Sequence, residues 1–137
     1  MPREIQMPDV LARAEAAVAS GVDAAHPAVH RSIVFVTERY HEKFAASAVA
    51  EHCGLSRFQF SRNFHATFEI TFREYLLRFR IREACRRLAA GGQSVTGIAY
   101  AVGFHDGSYF ARMFRRYVGV LPSQYAARRD DAPRSDA

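Results

Sequence analysis

The pattern Phe-x-Arg-x-Phe occurs twice in this chain, as Phe60-Ser61-Arg62-Asn63-Phe64 and again fifty positions on as Phe110-Ala111-Arg112-Met113-Phe114. Each copy follows an alanine and a glycine four residues apart, Ala50 with Gly54 and Ala99 with Gly103. The offset of fifty continues downstream, pairing Phe68 with Val118, Ile70 with Val120 and Tyr75 with Tyr125. Upstream it is forty-nine, for Val49-Ala50 against Ile98-Ala99. A fixed offset of this kind marks an internal duplication, which constrains topology more than any local propensity does. The one-residue difference falls between Gly103 and Tyr109, where a turn absorbs it. Within 137 residues the duplication predicts two small units, with a modest core and too little chain for a large enzyme scaffold.

Apolar spacing predicts helices throughout. Val10, Leu11, Ala14, Ala17 and Val18 outline a short amphipathic helix from about Asp9 to Ser20, ended by Gly21. Val29, Ile33, Val36 and Tyr40 recur at helical spacing after Pro27, which suits a first turn. A helix over Ala46 to His52 stops at Cys53-Gly54, and Ser56 caps the next, running to about Phe68. On it, Phe60, Phe64 and Thr67 fall inward and Phe58, Ser61, Arg62 and His65 outward, at 100° per residue. Thr71 caps a longer helix to about Ala90, with Phe72, Tyr75, Leu76, Phe79 and Leu88 as its buried stripe and Gly91-Gly92 as its end. The second unit repeats the plan. Ser94 or Thr96 caps a short helix through Val102, Gly103 turns, and a helix from about Gly107 to Tyr117 turns Phe110, Phe114 and Tyr117 inward. Leu121-Pro122-Ser123 opens a last turn ending near Tyr125, and a polar tail from Arg128 is expected to be disordered.

A small alanine, a glycine four residues later and a hydrophobic residue directly after it (Leu55, Phe104) describe a helix-turn-helix. Alanine permits close crossing, glycine makes the turn, and the hydrophobe plugs the crossing point. Two such units at fixed offset, each with an outward arginine, point to nucleic acid. The charge agrees: 19 Lys plus Arg against 14 Asp plus Glu leave a formal +5, with a pI near 9.7. Lys43 is the only lysine, and arginine's planar fork suits phosphates and guanine edges. No apolar run approaches the roughly 20 residues of a membrane span, and the N-terminus lacks a signal-peptide core, so a cytoplasmic protein is expected. Cys53 and Cys85 lack metal-like spacing and read as packed, reduced thiols.

Ile98-Ala99, Val102-Gly103-Phe104-x-Asp106-x-Ser108-Tyr109-Phe110-x-Arg112-x-Phe114-Arg115-Arg116, Gly119 and Pro122-Ser123-Gln124-Tyr125 together closely resemble the signature of AraC/XylS-type transcription regulators. The resemblance extends through Arg80-Ile81-x-x-Ala84 and Leu88, similar to that family's linker helix, and covers roughly residues 28 to 126. It implies an all-α fold of about seven helices plus the short N-terminal one, in which a central helix joins two helix-turn-helix units. The expected divisions are 1–26 as a partly helical extension, 27–71 as the first unit, 72–91 as the linker helix, 92–127 as the second unit and 128–137 as the tail.

By the resemblance, Phe58, Ser61 and Arg62 are the base-facing set of the first recognition helix, and Gly107, Ser108, Ala111 and Arg112 that of the second. The chemistry fits, since arginine forks onto guanine O6 and N7, and phenylalanine packs on a thymine methyl. Ala111 is limited to apolar contact, which predicts looser readout by the second helix. Arg57, His65, His105, Arg115 and Arg116 are the candidate phosphate contacts, which position without specifying. Two positions depart from the family pattern. Glu69 replaces the usual glycine after the first recognition helix, at a cost of about 1 kcal/mol if the backbone there is left-handed. Gly97 replaces a polar residue, at about 1 kcal/mol if interior to its helix.

Fewer than thirty residues precede the match, so the resemblance is to stand-alone members that bind asymmetric sites as monomers, with RNA polymerase as a further partner. No cofactor is expected. A linker helix of about 17 residues spans about 25 Å, against about 34 Å between successive major grooves on one face, which predicts DNA bent toward the protein. Two other readings compete: one unit reading bases while the other grips phosphate alone, or a helical protein-interaction module or antirepressor. His26 and His30 sit at i,i+4, but Pro27 between them and the want of a third ligand argue against a metal site or an enzyme.

Overall fold

The computed structural model describes residues 6–20 and 27–131. Among them are eight α-helices and one short 3-10 turn: α1 Gln6–Ser20, the turn Pro27–Val29, α2 His30–Arg39, α3 Ala46–His52, α4 Arg57–Phe68, α5 Phe72–Ala90, α6 Val95–Ala101, α7 Gly107–Val118 and α8 Pro122–Asp131. The two helix-turn-helix pairs are α3–α4 and α6–α7, with α5 between them.

Both turns close in the same way. Leu55 N–H donates to the Ala50 carbonyl at 3.0 Å and Gly54 N–H to Glu51 at 2.9 Å; in the second unit Phe104 donates to Ala99 at 2.9 Å and Gly103 to Tyr100 at 3.0 Å. These paired bonds satisfy the last carbonyls of α3 and α6 and require a left-handed residue, supplied by Gly54 at φ 75° and Gly103 at φ 106°. Gly103 carries a second constraint, because a Cβ there would lie 2.6 Å from the Tyr40 carbonyl oxygen and 2.7 Å from Arg80 Nε. Since Phe104 still matches Leu55, the inserted residue of the second unit is His105, a bend just before the α7 cap.

The core has two parts that share α5. Leu11, Ala14, Val29, Ile33, Phe35, Val36, Val49, Phe60, Phe64, Phe68, Phe72, Tyr75 and Phe79 form the first; Leu77, Ile81, Ala84, Leu88, Ile98, Ala99, Val102, Phe104, Phe110, Phe114 and Val118 form the second. Helix α5 thus packs on two sides, and the single stripe expected from its sequence is incomplete. Leu76 is only half-buried, while Leu77, Ile81 and Ala84 are buried. In the first core, burial lifts the Tyr75 hydroxyl well above its ordinary pKa, assisted by the Glu15 carboxylate, and raises the Cys53 thiol as well.

Two further expectations need correction, at α8 and at Tyr117. Helix α8 does not stop near Tyr125 but runs through Asp131, so no disordered tail begins at Arg128. Tyr125 and Ala126 pack on the second core and α8 lies against α5, and a helix nucleated there extends readily through Ala127 and Arg128. The helix expected before Pro27 is present as α1, and the structure adds its docking. Helix α1 packs on α2 and α5, burying Leu11 and Ala14, and Glu15 takes a bidentate bond from Arg82 of α5 at 2.7 and 3.1 Å. Tyr117, expected inward, is half-buried and faces Arg78, whose Cζ lies 5.4 Å from its ring centroid. Gly21 and the tail from residue 132 lie outside the described residues.

Candidate nucleic-acid interface

Each recognition helix is fixed from behind. In α4, Phe60 and Phe64 stack at 5.7 Å and meet Phe72 of α5 at 5.1 and 5.4 Å. In α7, Phe110 and Phe114 repeat the pair at 5.7 Å, packed on Phe104 at 5.0 Å and on Tyr125 at 5.6 Å. Burial of such side chains contributes roughly 1.5–3 kcal/mol each, which holds the opposite face of each helix in register.

On that opposite face the structure brings together most of the expected residues. Phe58, Ser61, Arg62 and His65 are all exposed along one side of α4, with Arg57 exposed in its first turn. Ser108, Arg112 and Arg115 are exposed along the same side of α7, Gly107 and Arg116 are exposed as well, and Ala111 is half-buried. Gly107 has open space where a Cβ would stand. His105 is exposed in the bend before α7 rather than on the helix face.

In both helices the central arginine leans on an aromatic ring. Arg62 Cζ lies 4.8 Å from the Phe58 centroid, and Phe58 is itself 68% exposed. Arg112 Cζ lies 5.6 Å from the ring of Tyr109, which is half-buried against the second core. A guanidinium held over a ring loses less side-chain freedom on forking onto a base edge.

The helix entrances differ. Ser56 and Gln59 form a reciprocal capping box on α4, each side chain accepting the other's backbone N–H at 3.1 Å. On α7, Asp106 alone accepts from Ser108 N–H at 2.8 Å and Tyr109 N–H at 3.2 Å. The exits differ too. Glu69 ends α4 at φ 66°, so the backbone there is left-handed and the conditional steric cost applies, while Gly119 ends α7 at φ 97°. Gly97 stands in the first turn of α6, where its N–H is bonded to Ser94 Oγ at 2.9 Å, so it is not an interior helix position.

From sequence, Ser56 is expected as a cap without its partner Gln59, and no capping role is assigned to Asp106 and no positioning role to Arg80 or Arg73. The Ser-x-x-Gln spacing at Ser56 and Asp106 at the mouth of α7 are legible capping signals. Arg80 is not legible from local pattern. Its Nε donates to the Tyr40 carbonyl at 2.8 Å and Nη2 to the Glu42 carbonyl at 2.9 Å, so it bolts α5 to the segment after α2, against which Gly103 of the α6–α7 turn lies close. Burial lowers the pKa of that guanidinium from its ordinary value. Arg73, at the start of α5, donates to Tyr109 OH at 2.7 Å. His26 lies outside the described residues, and among those described no group of three His, Cys, Asp or Glu is placed to hold a metal.

Residues 49–128, from the second half of α3 through most of α8, match the family described as helix-turn-helix domain. The chain belongs to the AraC/XylS family. Among AraC/XylS relatives, it is 33% identical to the MmsAB operon regulatory protein of Pseudomonas aeruginosa over 94 residues, 69% of this chain and 31% of that protein. It is 28% identical over 93 residues to the transcriptional activator AarP of Providencia stuartii, covering 68% of this chain and 69% of AarP. The DNA-binding domain of AdpA, a global transcriptional factor solved in complex with a target DNA, superposes with a TM-score of 0.74 at 27% identity, over 78% of this chain and 97% of that one. The matched segments make up about a third of the length of the MmsAB and melibiose operon regulators. Among the described residues, no helix is long and apolar enough to cross a membrane.

Proposed function

We propose that this domain reads double-stranded DNA through α4 and α7 placed in successive major grooves. The observation that carries the reading is the pair of exposed helix faces, each backed by a buried Phe-Phe pair and each presenting a ring-supported arginine. Phe58, Ser61 and Arg62 take base edges in one groove; Ser108 and Arg112, with Gly107 and Ala111 as close-approach positions, take the other. Arg57, His65, His105, Arg115 and Arg116 bind the flanking phosphates. Residues 27–71 and 92–127 act as the two reading units, with 72–91 between them. The capture of AdpA on its target DNA supports this use of the fold.

Helix α5 has 19 residues, about 28 Å of helix, which is still short of the roughly 34 Å groove repeat. DNA engaged by both helices therefore bends toward the protein. Two different reading surfaces on one chain favour a monomer on an asymmetric site; cytoplasmic location and contact with RNA polymerase complete the proposal by family resemblance alone, and the activator AarP is a relative consistent with activation.

Selection of bound sequences from a random duplex library, followed by footprinting, tests the reading. The expected result is an asymmetric site spanning two major-groove turns, with affinity that falls steeply as salt rises. A one-turn site would support base reading by one unit alone. Salt-insensitive binding to a protein partner, with no retention on DNA, would support an interaction module instead.

A further inference from the structure

The third residue of each recognition helix occupies the same place in the repeat and has been put to different use. In α4 it is Gln59, committed to the capping box with Ser56. In α7 it is Tyr109, and because Asp106 alone covers both leading N–H groups, that side chain is not needed for capping. It reaches instead to the other half of the molecule, where its hydroxyl accepts from Arg73 Nη2 at 2.7 Å. Arg73 stands in the first turn of α5, between Phe72 and Tyr75 of the first core, whereas Tyr109 packs on the second. The Tyr109 ring also lies 6.0 Å from Phe104 and carries Arg112.

We propose that Arg73, at the first-core end of the linker helix, and Tyr109 form a brace that fixes α7 and its Arg112 on α5, and through α5 relative to α4, so that only correctly spaced half-sites are read together. Helix α5 is shared by both cores, and the orientation of α7 on it is set by apolar packing plus the few directional bonds that α5 side chains make to its neighbours. Arg80 ties α5 to the segment after α2, and Arg73–Tyr109 ties the start of the same helix to the entrance of α7. When two readers are linked, the gain from the second depends on how often it is presented in the right geometry. The brace raises that fraction without touching a base, and it makes the penalty for a wrong spacer larger. The inference rests on the reading of α4 and α7 as the two base readers.

The test uses the selected operator in three duplexes: intact, with the half read by α7 scrambled, and with one base pair inserted between the halves. Tyr109→Phe keeps the ring and removes the acceptor. It is expected to weaken binding to the intact duplex about three- to tenfold, to leave the scrambled duplex within about twofold, and to shrink the penalty for the inserted pair. Arg73→Met should do the same, and the double variant should be no weaker than either single one. Should Tyr109→Phe melt early, Arg73→Met, altering an exposed side chain, carries the test alone. Equal losses on intact and scrambled duplexes, or losses that multiply in the double variant, would overturn the brace. A salt slope reduced by about one in Arg73→Met would then identify a phosphate contact. Wild-type protein that binds intact and scrambled duplexes equally well would refute the two-groove reading itself, and the brace with it.

Discussion

Phe60 and Phe64 in α4 are 1% and 0% exposed, and Phe110 and Phe114 in α7 have the same values. On the outer faces the likeness ends: where α4 presents Phe58, α7 presents Ser108, and where α4 presents Ser61, α7 presents the half-buried Ala111. Both helices keep an arginine, but Arg62 rests on a ring that itself projects to solvent, and Arg112 rests on one tied into the core and to Arg73. Packing thus held the inner faces alike after duplication and left the outer faces free to diverge. The first helix became the larger chemical reader and the second the more firmly placed one.

The strongest way to break this comparison is through the inner faces. Phe64→Ala and Phe114→Ala should each cost about 3–5 kcal/mol, by lost transfer energy plus a cavity, and the two losses should be similar. Urea denaturation followed by circular dichroism reads the loss. Because α5 contributes to both cores, each variant should still unfold in one transition. Two separated transitions would mean that the halves fold independently and that α5 is only a tether.

The outer faces carry the next effect. Arg62→Ala should weaken binding to the selected operator by about 1–3 kcal/mol and relax preference at a guanine in the first half-site. Arg112→Ala should cost less in base preference, since its neighbours Gly107, Ser108 and Ala111 offer little side-chain chemistry of their own. Competition titrations against single-base variants measure both. Equal relaxation in the two half-sites would remove the asymmetry argued above.

The division of legible from illegible follows the range of the interaction. Caps and turns were readable because their partners lie within a few residues, as Ser56 with Gln59 or Gly54 with Ala50 and Glu51. The outward sets on α4 and α7 were readable because helical spacing alone separates them from the Phe pairs. Leu77, Ile81 and Ala84 escaped because periodicity expects one buried face, and α5 has two, one for each core. The docking of α1 through Glu15 and Arg82, 67 residues apart, and the bond from Arg73 to Tyr109, 36 apart, have no local signature at all. Ala111 was placed in the base-facing set by its repeat position, yet its half-burial depends on how α6 and α8 close around α7.

The smallest expected effect concerns the ends of the recognition helices. Glu69 and Gly119 hold the same left-handed cap, at φ 66° and φ 97°, and only glycine adopts it without a steric penalty. Glu69 gains little in return, because its ion pair with Arg13 is 4.0 Å long between side chains 77% and 63% exposed, where screening leaves such contacts small. Glu69→Gly should therefore stabilise the fold by about 0.5–1 kcal/mol, a rise of roughly 2–4 °C in Tm, while Gly119→Glu should destabilise it by about 1 kcal/mol. The carboxylate adds a second, separable effect, since it stands one turn beyond His65 on a helix that approaches phosphate. Glu69→Gln keeps the strained backbone and removes the charge, so it should leave the melting temperature unchanged and raise DNA affinity by about two- to fivefold at low salt, with the gain fading as salt rises. An affinity gain in Glu69→Gly without one in Glu69→Gln would place the cost in the backbone, and α4 would then be the less well positioned helix for conformational reasons rather than electrostatic ones.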